Sequence, residues 1–289
     1  METRLQHHVS RIVQSRPVQS VLLLHSKDRF SAFLDGANFL FLVVVNQPTA
    51  TWVSKSFLAN GQRIVEHYIG QWTVERWAVQ GTPEKMIHWL SRAEIVFDKE
   101  DYIKRMLDGL LRLPKQIQKQ KICEEYTRFL RYYLEAKEQL RDGQVLDAYQ
   151  SVASALYHWA RLVTYEAGEQ PGKLLWKQVR KTEPGVCKLY EELINGQEPL
   201  AKRIELQLLP IEFSVMSKMK GCTALVTEIL QSRTRPWSLE ELQQHPALTS
   251  IVDDLPLLLE KMAARSVIRE VVLHNREANV LMRGYIMAG

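Results

Sequence analysis

The residues best placed by type and spacing to do chemistry lie between two aliphatic runs near the start of the chain. Residues 21–24 lead into His25-Ser26-Lys27-Asp28-Arg29, and Asp35-Gly36-Ala37-Asn38 leads into the seven-residue apolar run Phe39–Val45. A hydroxyl, two cations and two carboxylates thus fall in the connection between two strand candidates, where a rigid pair of strands holds polar groups at its end. Other chemistries lack their motifs. GxGxxG and GxxxxGK[ST] are absent, which removes the common glycine-rich phosphate cradles. There is no HExxH, and the eight histidines do not pair at metal-ligand spacing. The adjacent His7-His8 fit a solvent-facing turn of a short helix better than a metal site. No serine lies in a GxSxG context. Zinc and nucleophilic chemistry are therefore not expected.

The elements that must position these groups follow from periodicity. Residues 4–15 read as a short amphipathic helix with Leu5, Val9, Ile12 and Val13 on one face, closed by Pro17. Residues 21–24 and Phe39–Val45 read as buried strands, the second ended by Asn46-Gln47-Pro48. Residues 51–53 suggest a short strand, and residues 63–69, after Asn60-Gly61, alternate as another. The period turns helical at Val74. Thr82-Pro83-Glu84 reads as an N-cap with proline at the first helical position, opening a helix to about Leu90. Residues 94–97 form a last strand before a helix from Asp101. Beyond Pro114 the pattern is helical throughout: 116–140 and 145–166 as long helices separated by Asp142-Gly143, then 173–181, 184–196 and 199–218. From about Gly221 the order is helix, a capping box at Ser238 opening a second helix, a third helix over 252–266, and a hairpin of 267–273 with 280–287. That is the order of a winged helix.

Composition bounds the class. The 289 residues are 46% hydrophobic and 25% charged, with 13 Gly and 11 Pro, which excludes collagenous and disordered chains. No apolar run approaches the roughly 20 residues that cross a bilayer, and the first residues hold no signal-like apolar stretch, so no membrane partner is expected. Three widely spaced cysteines point to free thiols in a reducing cytoplasm. The net charge of +5 is concentrated: residues 101–122 hold six Lys/Arg (Lys104, Arg105, Arg112, Lys115, Lys119, Lys121) against two acidic residues. This segment is either a solvated helix face or a basic wall beside a cleft that receives phosphate.

The stretch 21–45 resembles the core of the minimal nucleotidyltransferase superfamily. There a strand leads into Gly-Ser and a second strand carries Asp-x-Asp before an aliphatic run, the carboxylates holding two magnesium ions with a third carboxylate on a neighbouring strand. Ser26 keeps the serine and His25 replaces the glycine. Alignment on the aliphatic run puts Asn38 and Leu40 at the two aspartates, and alignment on Asp35 puts Ala37 at the second. Either way the pair is broken. Over nearly its full length the chain is also similar to the bacterial YgxA-type nucleotidyltransferase-like family, through Leu146-Asp147-Ala148-Tyr149, Ala155-Leu156-Tyr157-His158-Trp159-Ala160-Arg161, Glu183-Pro184-Gly185-Val186, Leu189-Tyr190-Glu191-Glu192-Leu193, Trp89-Leu90 and Ile95-Val96-Phe97-Asp98. The resemblance implies a multidomain α+β protein. A nucleotidyltransferase-like mixed sheet with flanking helices (1–110) precedes a helical bundle (111–218) like those that bind substrate in aminoglycoside nucleotidyltransferases, and a winged-helix-like end (219–289).

Asp35, Asn38 and Glu66 are then the degenerate candidates for the catalytic positions. Glu66 on the strand 63–69 is the best stand-in for the third carboxylate, with Glu75 behind it. Turn chemistry with Gly36 explains Asp35 equally well, and the wet face of an alternating strand explains Glu66. Magnesium is expected only if such a cage is rebuilt. Ser26, Lys27 and Arg29 would contact phosphate, with Lys104 and Arg105 of the basic segment across a cleft between the first two domains. His158 and Arg161 either line a cleft or are satisfied within the bundle. The bundle also resembles the HEPN domains found beside nucleotidyltransferases. Their RNase motif needs Arg and then His with four to six residues between, a spacing absent from 116–212, so RNase activity is not expected. The leading expectation is a nucleotidyltransferase-fold protein with weak or lost transfer that binds a nucleotide or phosphate ligand. The alternatives are a ligand-sensing regulator binding DNA through its end module, and an active transferase using Asp35 and Glu66. The third helix of that module begins Val252-Asp253-Asp254 and offers only Lys261 and Arg265 late, a poor start for reading bases.

Overall fold

A computed structural model describes residues 2–26, 31–47, 52–275 and 280–288. Where periodicity divides the sequence into three parts, contacts divide the chain into two compact units, Met1–Pro114 and Lys115–Gly289.

The first unit is built around a strand with no polar side. β1 (Val18–His25), β2 (Phe39–Val45), β3 (Val53–Ala59), β4 (Gln62–Gly70) and β5 (Glu94–Asp98) form one sheet in the order β3-β4-β2-β1-β5. β2 runs parallel to β4, and the other pairs are antiparallel. All seven residues of β2 are buried, because both faces of the sheet are covered. On one face, α1 (Glu2–Ser15) packs Ile12 against Val21, Phe41 and Val43. On the other, α2 (Gln71–Gln80), α3 (Glu84–Leu90) and α4 (Tyr102–Leu111) bring Val74, Trp89 and Ile103 onto Leu40, Leu42 and Val65.

β3 is longer than the three residues 51–53 that the sequence marks. It is an edge strand whose side chains are mostly exposed, so no apolar alternation announces it. What sets it is the turn to β4, where Asn60 and Gly61 both take positive φ (53° and 74°), the two-residue hairpin geometry that matches strand twist. The N-cap expectation at Thr82 is corrected: α3 starts at Glu84 with Pro83 as the capping residue, and the Thr82 hydroxyl is buried without a partner.

The second unit begins with the hairpin of α5 (Lys115–Arg141) and α6 (Val145–Glu166), turned at Gly143 with φ 75°. α7 (Leu175–Thr182), α8 (Pro184–Asn195) and α9 (Leu200–Cys222) pack beside it. α9 runs through residue 218, where the sequence reading places a domain boundary. Then come α10 (Ala224–Gln231), β6 (Trp237–Ser238), α11 (Leu239–Gln243), a 3-10 turn over 246–251, α12 (Leu255–Ala264), β7 (Ile268–Asn275) and β8 (Val280–Met287). The last three strands form a sheet in the order β6-β8-β7. The capping box at Ser238 is present with both of its hydrogen bonds, to and from Glu241. One apolar core joins Tyr126 and Leu156 of the long hairpin to Val226, Leu258 and Tyr285, which is why the last 71 residues belong to the same unit. The three cysteines are free and buried. Among the described residues no helix is long and apolar enough to cross a membrane.

Gly61 has open space around its Cα, so an added methyl meets only the backbone penalty of positive φ. Gly61→Ala is expected to destabilise the first unit by about 1–2 kcal/mol, read as a shift in its urea unfolding transition.

Candidate functional site

The start of β2, where the resemblance places a metal pair, carries no ligand set. The Asn38 N–H donates to the Arg63 carbonyl and its Oδ1 accepts the Arg63 N–H, each at 2.9 Å, while its carbonyl accepts the Ser26 N–H at 2.9 Å. Asn38 thus joins β2 to β1 through its backbone carbonyl and to β4 through its N–H and amide oxygen. Leu40 is completely buried and shares an apolar cluster with Leu24, Leu34, Ala37, Val65 and Trp89. Both residues that the two alignments put at the second aspartate, Leu40 and Ala37, are thus buried hydrocarbon.

Asp35 and Glu66, the two carboxylates offered as replacements, serve opposite faces of the sheet. Successive side chains of a strand alternate, so Glu66 and His67 of β4 point apart. Asp35, held at φ 54° by its turn, takes a hydrogen bond from Lys85 Nζ at 2.7 Å and one from His67 Nε2 at 3.2 Å. His67 is buried, stacks on Trp89 with centroids 5.1 Å apart, and meets Ser54 Oγ through Nδ1 at 2.7 Å. Burial pushes its pKa down, against the opposing pull of Asp35. Glu66 instead faces α1. It accepts from His8 Nε2 at 2.9 Å and Tyr68 OH at 2.6 Å, and lies 3.8 Å from Arg11. Burial alone would raise the Glu66 pKa, but these hydrogen bonds bring it below its ordinary value. His8 is therefore an interior anchor of α1 and not a solvent-facing residue. Glu75 accepts from Gln71 on its own helix. Among the described residues no three His, Cys, Asp or Glu side chains are placed to share a metal ion. Asp35 and Glu66 therefore do not converge on one metal position among the described residues.

The phosphate candidates divide. Lys27 and Arg29 lie outside the described residues. Ser26 lines a pocket of about 480 Å³ at the end of β1, with His25, Ser31, His88, Arg92 and Glu94 around it. His88 is buried and sits 5.3 Å from the Phe33 ring, and the Phe33 carbonyl accepts Trp89 Nε1 at 2.7 Å. Two imidazoles and a guanidinium thus face one carboxylate. Lys104 and Arg105, exposed on α4, do not line this pocket, and Lys104 is paired with Asp101 at 2.8 Å. Arg112 pairs with Asp108, Lys119 with Glu228 and Lys121 with Glu124. Four of the segment's six cations are thus ion-paired, three of them to carboxylates within four residues. Lys85, His67, His88 and Arg92 are missed by sequence reasoning, since nothing in their spacing marks them.

The second unit holds a buried charge cluster. Glu125 on α5, its side chain 1% exposed, accepts from His158 Nδ1 and from Arg161 Nε, each at 2.7 Å. His158 and Arg161 therefore resolve as satisfied partners of a carboxylate that the sequence leaves unmarked. Its one signal is position, three residues after Ile122 and four before Phe129, inside the apolar stripe of α5. Burial would raise the Glu125 pKa, and the hydrogen bond from His158 with the Arg161 charge carries it below 4.5 instead. The sign follows. Its contribution to stability is complete above the unfolded carboxyl value and is lost as pH falls through the lower native one. Glu125→Ala strands the buried Arg161 cation and the His158 Nδ1 donor and should cost on the order of 3–5 kcal/mol, with the deficit against wild type shrinking as unfolding is measured at progressively more acid pH.

With the geometry in place, the comparisons give it a family. Residues 1–118 match the family described as nucleotidyltransferase-like, and residues 119–218 match the YgxA-like substrate binding domain. The chain is 30% identical over 266 residues to the uncharacterized protein YgxA of Bacillus subtilis (strain 168), covering 92% of this chain and 90% of that one. The crystal structure of a nucleotidyltransferase-like protein from Exiguobacterium sibiricum 255-15 superposes with a TM-score of 0.75 at 26% identity, covering all of both chains. The chain belongs to the YgxA-type family of nucleotidyltransferase-like proteins, with a substrate-binding domain following the nucleotidyltransferase-like one.

Proposed function

We propose that this chain is a nucleotidyltransferase-fold protein that has lost metal-dependent transfer and binds a phosphate-bearing small molecule at the end of β1. The observation that carries the reading is Leu40. On the alignment through the aliphatic run a completely buried leucine stands at the second aspartate position, and Asn38, at the first, spends its amide oxygen on the Arg63 backbone. Two magnesium ions need oxygen ligands that these side chains do not supply. The pocket of His25, Ser26, Ser31, His88 and Arg92 supplies donors that suit phosphate oxygens without a metal, tempered by Glu94. A substrate-binding domain over residues 119–218 supports a small-molecule ligand.

The DNA-binding alternative gains little. The element order of residues 224–287 supports the reading of a winged-helix-like module. Its third helix, α12, exposes Pro256, Glu260 and Ala264, and Asp254 just before it is ion-paired to Arg131 of α5. We read the module as one used for packing.

Calorimetry tests the main proposal. ATP or GTP should bind with the same affinity with and without magnesium, and Arg92→Ala should weaken binding about tenfold or more, the worth of one charge-assisted hydrogen bond. Tightening by magnesium would restore the enzyme reading. Generic duplex DNA should show no salt-dependent association near 50 mM salt, and a steep salt dependence would favour the regulator instead.

A further inference from the structure

The cluster on α5 and α6 has one unused atom. Glu125 takes the Nδ1 proton of His158 and so fixes the ring, which also stacks on Tyr132 with centroids 5.3 Å apart and planes 7° from parallel. Tyr157 meets the ring edge-on at 5.5 Å. Among the described residues Nε2 of His158 and the hydroxyls of Tyr132 and Tyr157 have no partner. His158 keeps 13% of its side chain exposed and Tyr157 41% of its surface, so solutes reach them. An imidazole oriented through Nδ1 by a carboxylate presents Nε2 as its working atom. Apolar residues of the same volume would hold two helices together as well as this buried ion pair does, so stability alone does not account for it.

The charge around the ring sets the ligand's sign. Arg161 cancels Glu125, and Glu124 is held by both Lys121 and Arg128 at 2.9 and 2.8 Å. Arg131 is likewise paired with Glu135 and Asp254, so the fixed charges along this stretch balance, and a protonated His158 adds one positive charge. The groups facing His158 are Glu125 and Tyr132 from α5 and Tyr157 from its own helix, with Arg161 behind Glu125. No group of α7, α8 or α9 among the described residues ion-pairs or hydrogen-bonds with it.

We propose that His158 Nε2, with the Tyr132 and Tyr157 hydroxyls, forms a binding site for a phosphate-type oxyanion in the substrate-binding domain. The imidazolium form donates from both nitrogens, Nδ1 to Glu125 and Nε2 to the anion. The site is made only of second-unit residues and stands independently of the Arg92 pocket.

The test uses the full ¹⁵N-labelled chain, with the imidazole nitrogens followed by NMR while sodium sulfate replaces sodium chloride at constant ionic strength. Sulfate keeps its charge between pH 6 and 8, so any pH effect belongs to the protein. His158, identified by the signal lost in His158→Gln, should shift saturably at pH 6, with an affinity at least tenfold weaker at pH 8. Tyr157→Phe, a surface change that spares the fold, should weaken binding several-fold, and Arg92→Ala should leave it unchanged. No saturable shift, or one independent of pH, overturns the site. So does a His158 response that disappears in Arg92→Ala. If ATP calorimetry fails while the sulfate response of His158 persists, the β1 pocket falls and this site stands.

Discussion

Everything in the first unit depends on the double-sided burial of β2. A strand of Phe, Leu and Val with no polar side must be covered on both faces, and that requirement places α1 on one side and α2, α3 and α4 on the other. It also decides the chemistry. Side chains at the start of such a strand either meet ligand or join the core, and Leu40 joins the core together with Trp89. The burial that stabilises the sheet is what commits Leu40 to the apolar cluster.

Both units then meet the same problem, a carboxylate inside the fold. Glu66 is compensated by His8 and Tyr68, and Glu125 by His158 and Arg161. Burial disfavours the charged form of each, and the hydrogen bonds outweigh it, so both stay ionised. The consequences differ. Glu66 ties α1 to β4 and commits its partners to the interior, with Arg11 donating to the other nitrogen of His8. Glu125 leaves the far nitrogen of His158 uncommitted on a reachable face. One arrangement is an anchor and the other has the form of a site.

Much of the fold was legible because its signals are local. Phe39–Val45 is continuous apolar sequence, α6 shows its apolar groups three and four apart, and the Ser238 box is a four-residue motif with a known hydrogen-bond pattern. β3 was not legible, since an exposed edge strand has no hydrophobic pattern to display and depends on pairing with β4. Nor was the joining of α10 through β8 to the long helices, because a shared core is built from residues such as Tyr126 and Tyr285 that are far apart in the chain.

The sequence by itself determined the broken Asp-x-Asp pair, the α+β character of the first part, the long helices of the second and the positions of the charged residues. Those properties follow from residue identity and short-range period. Only the tertiary structure decided that Asp35 and Glu66 never meet, that Lys119 of the 101–122 segment pairs with the distant Glu228, and that Glu125 orients His158. Which face a strand residue takes, and which helix lies against it, are long-range outcomes. The chemistry of a side chain is set by the partners that those outcomes bring within hydrogen-bonding distance.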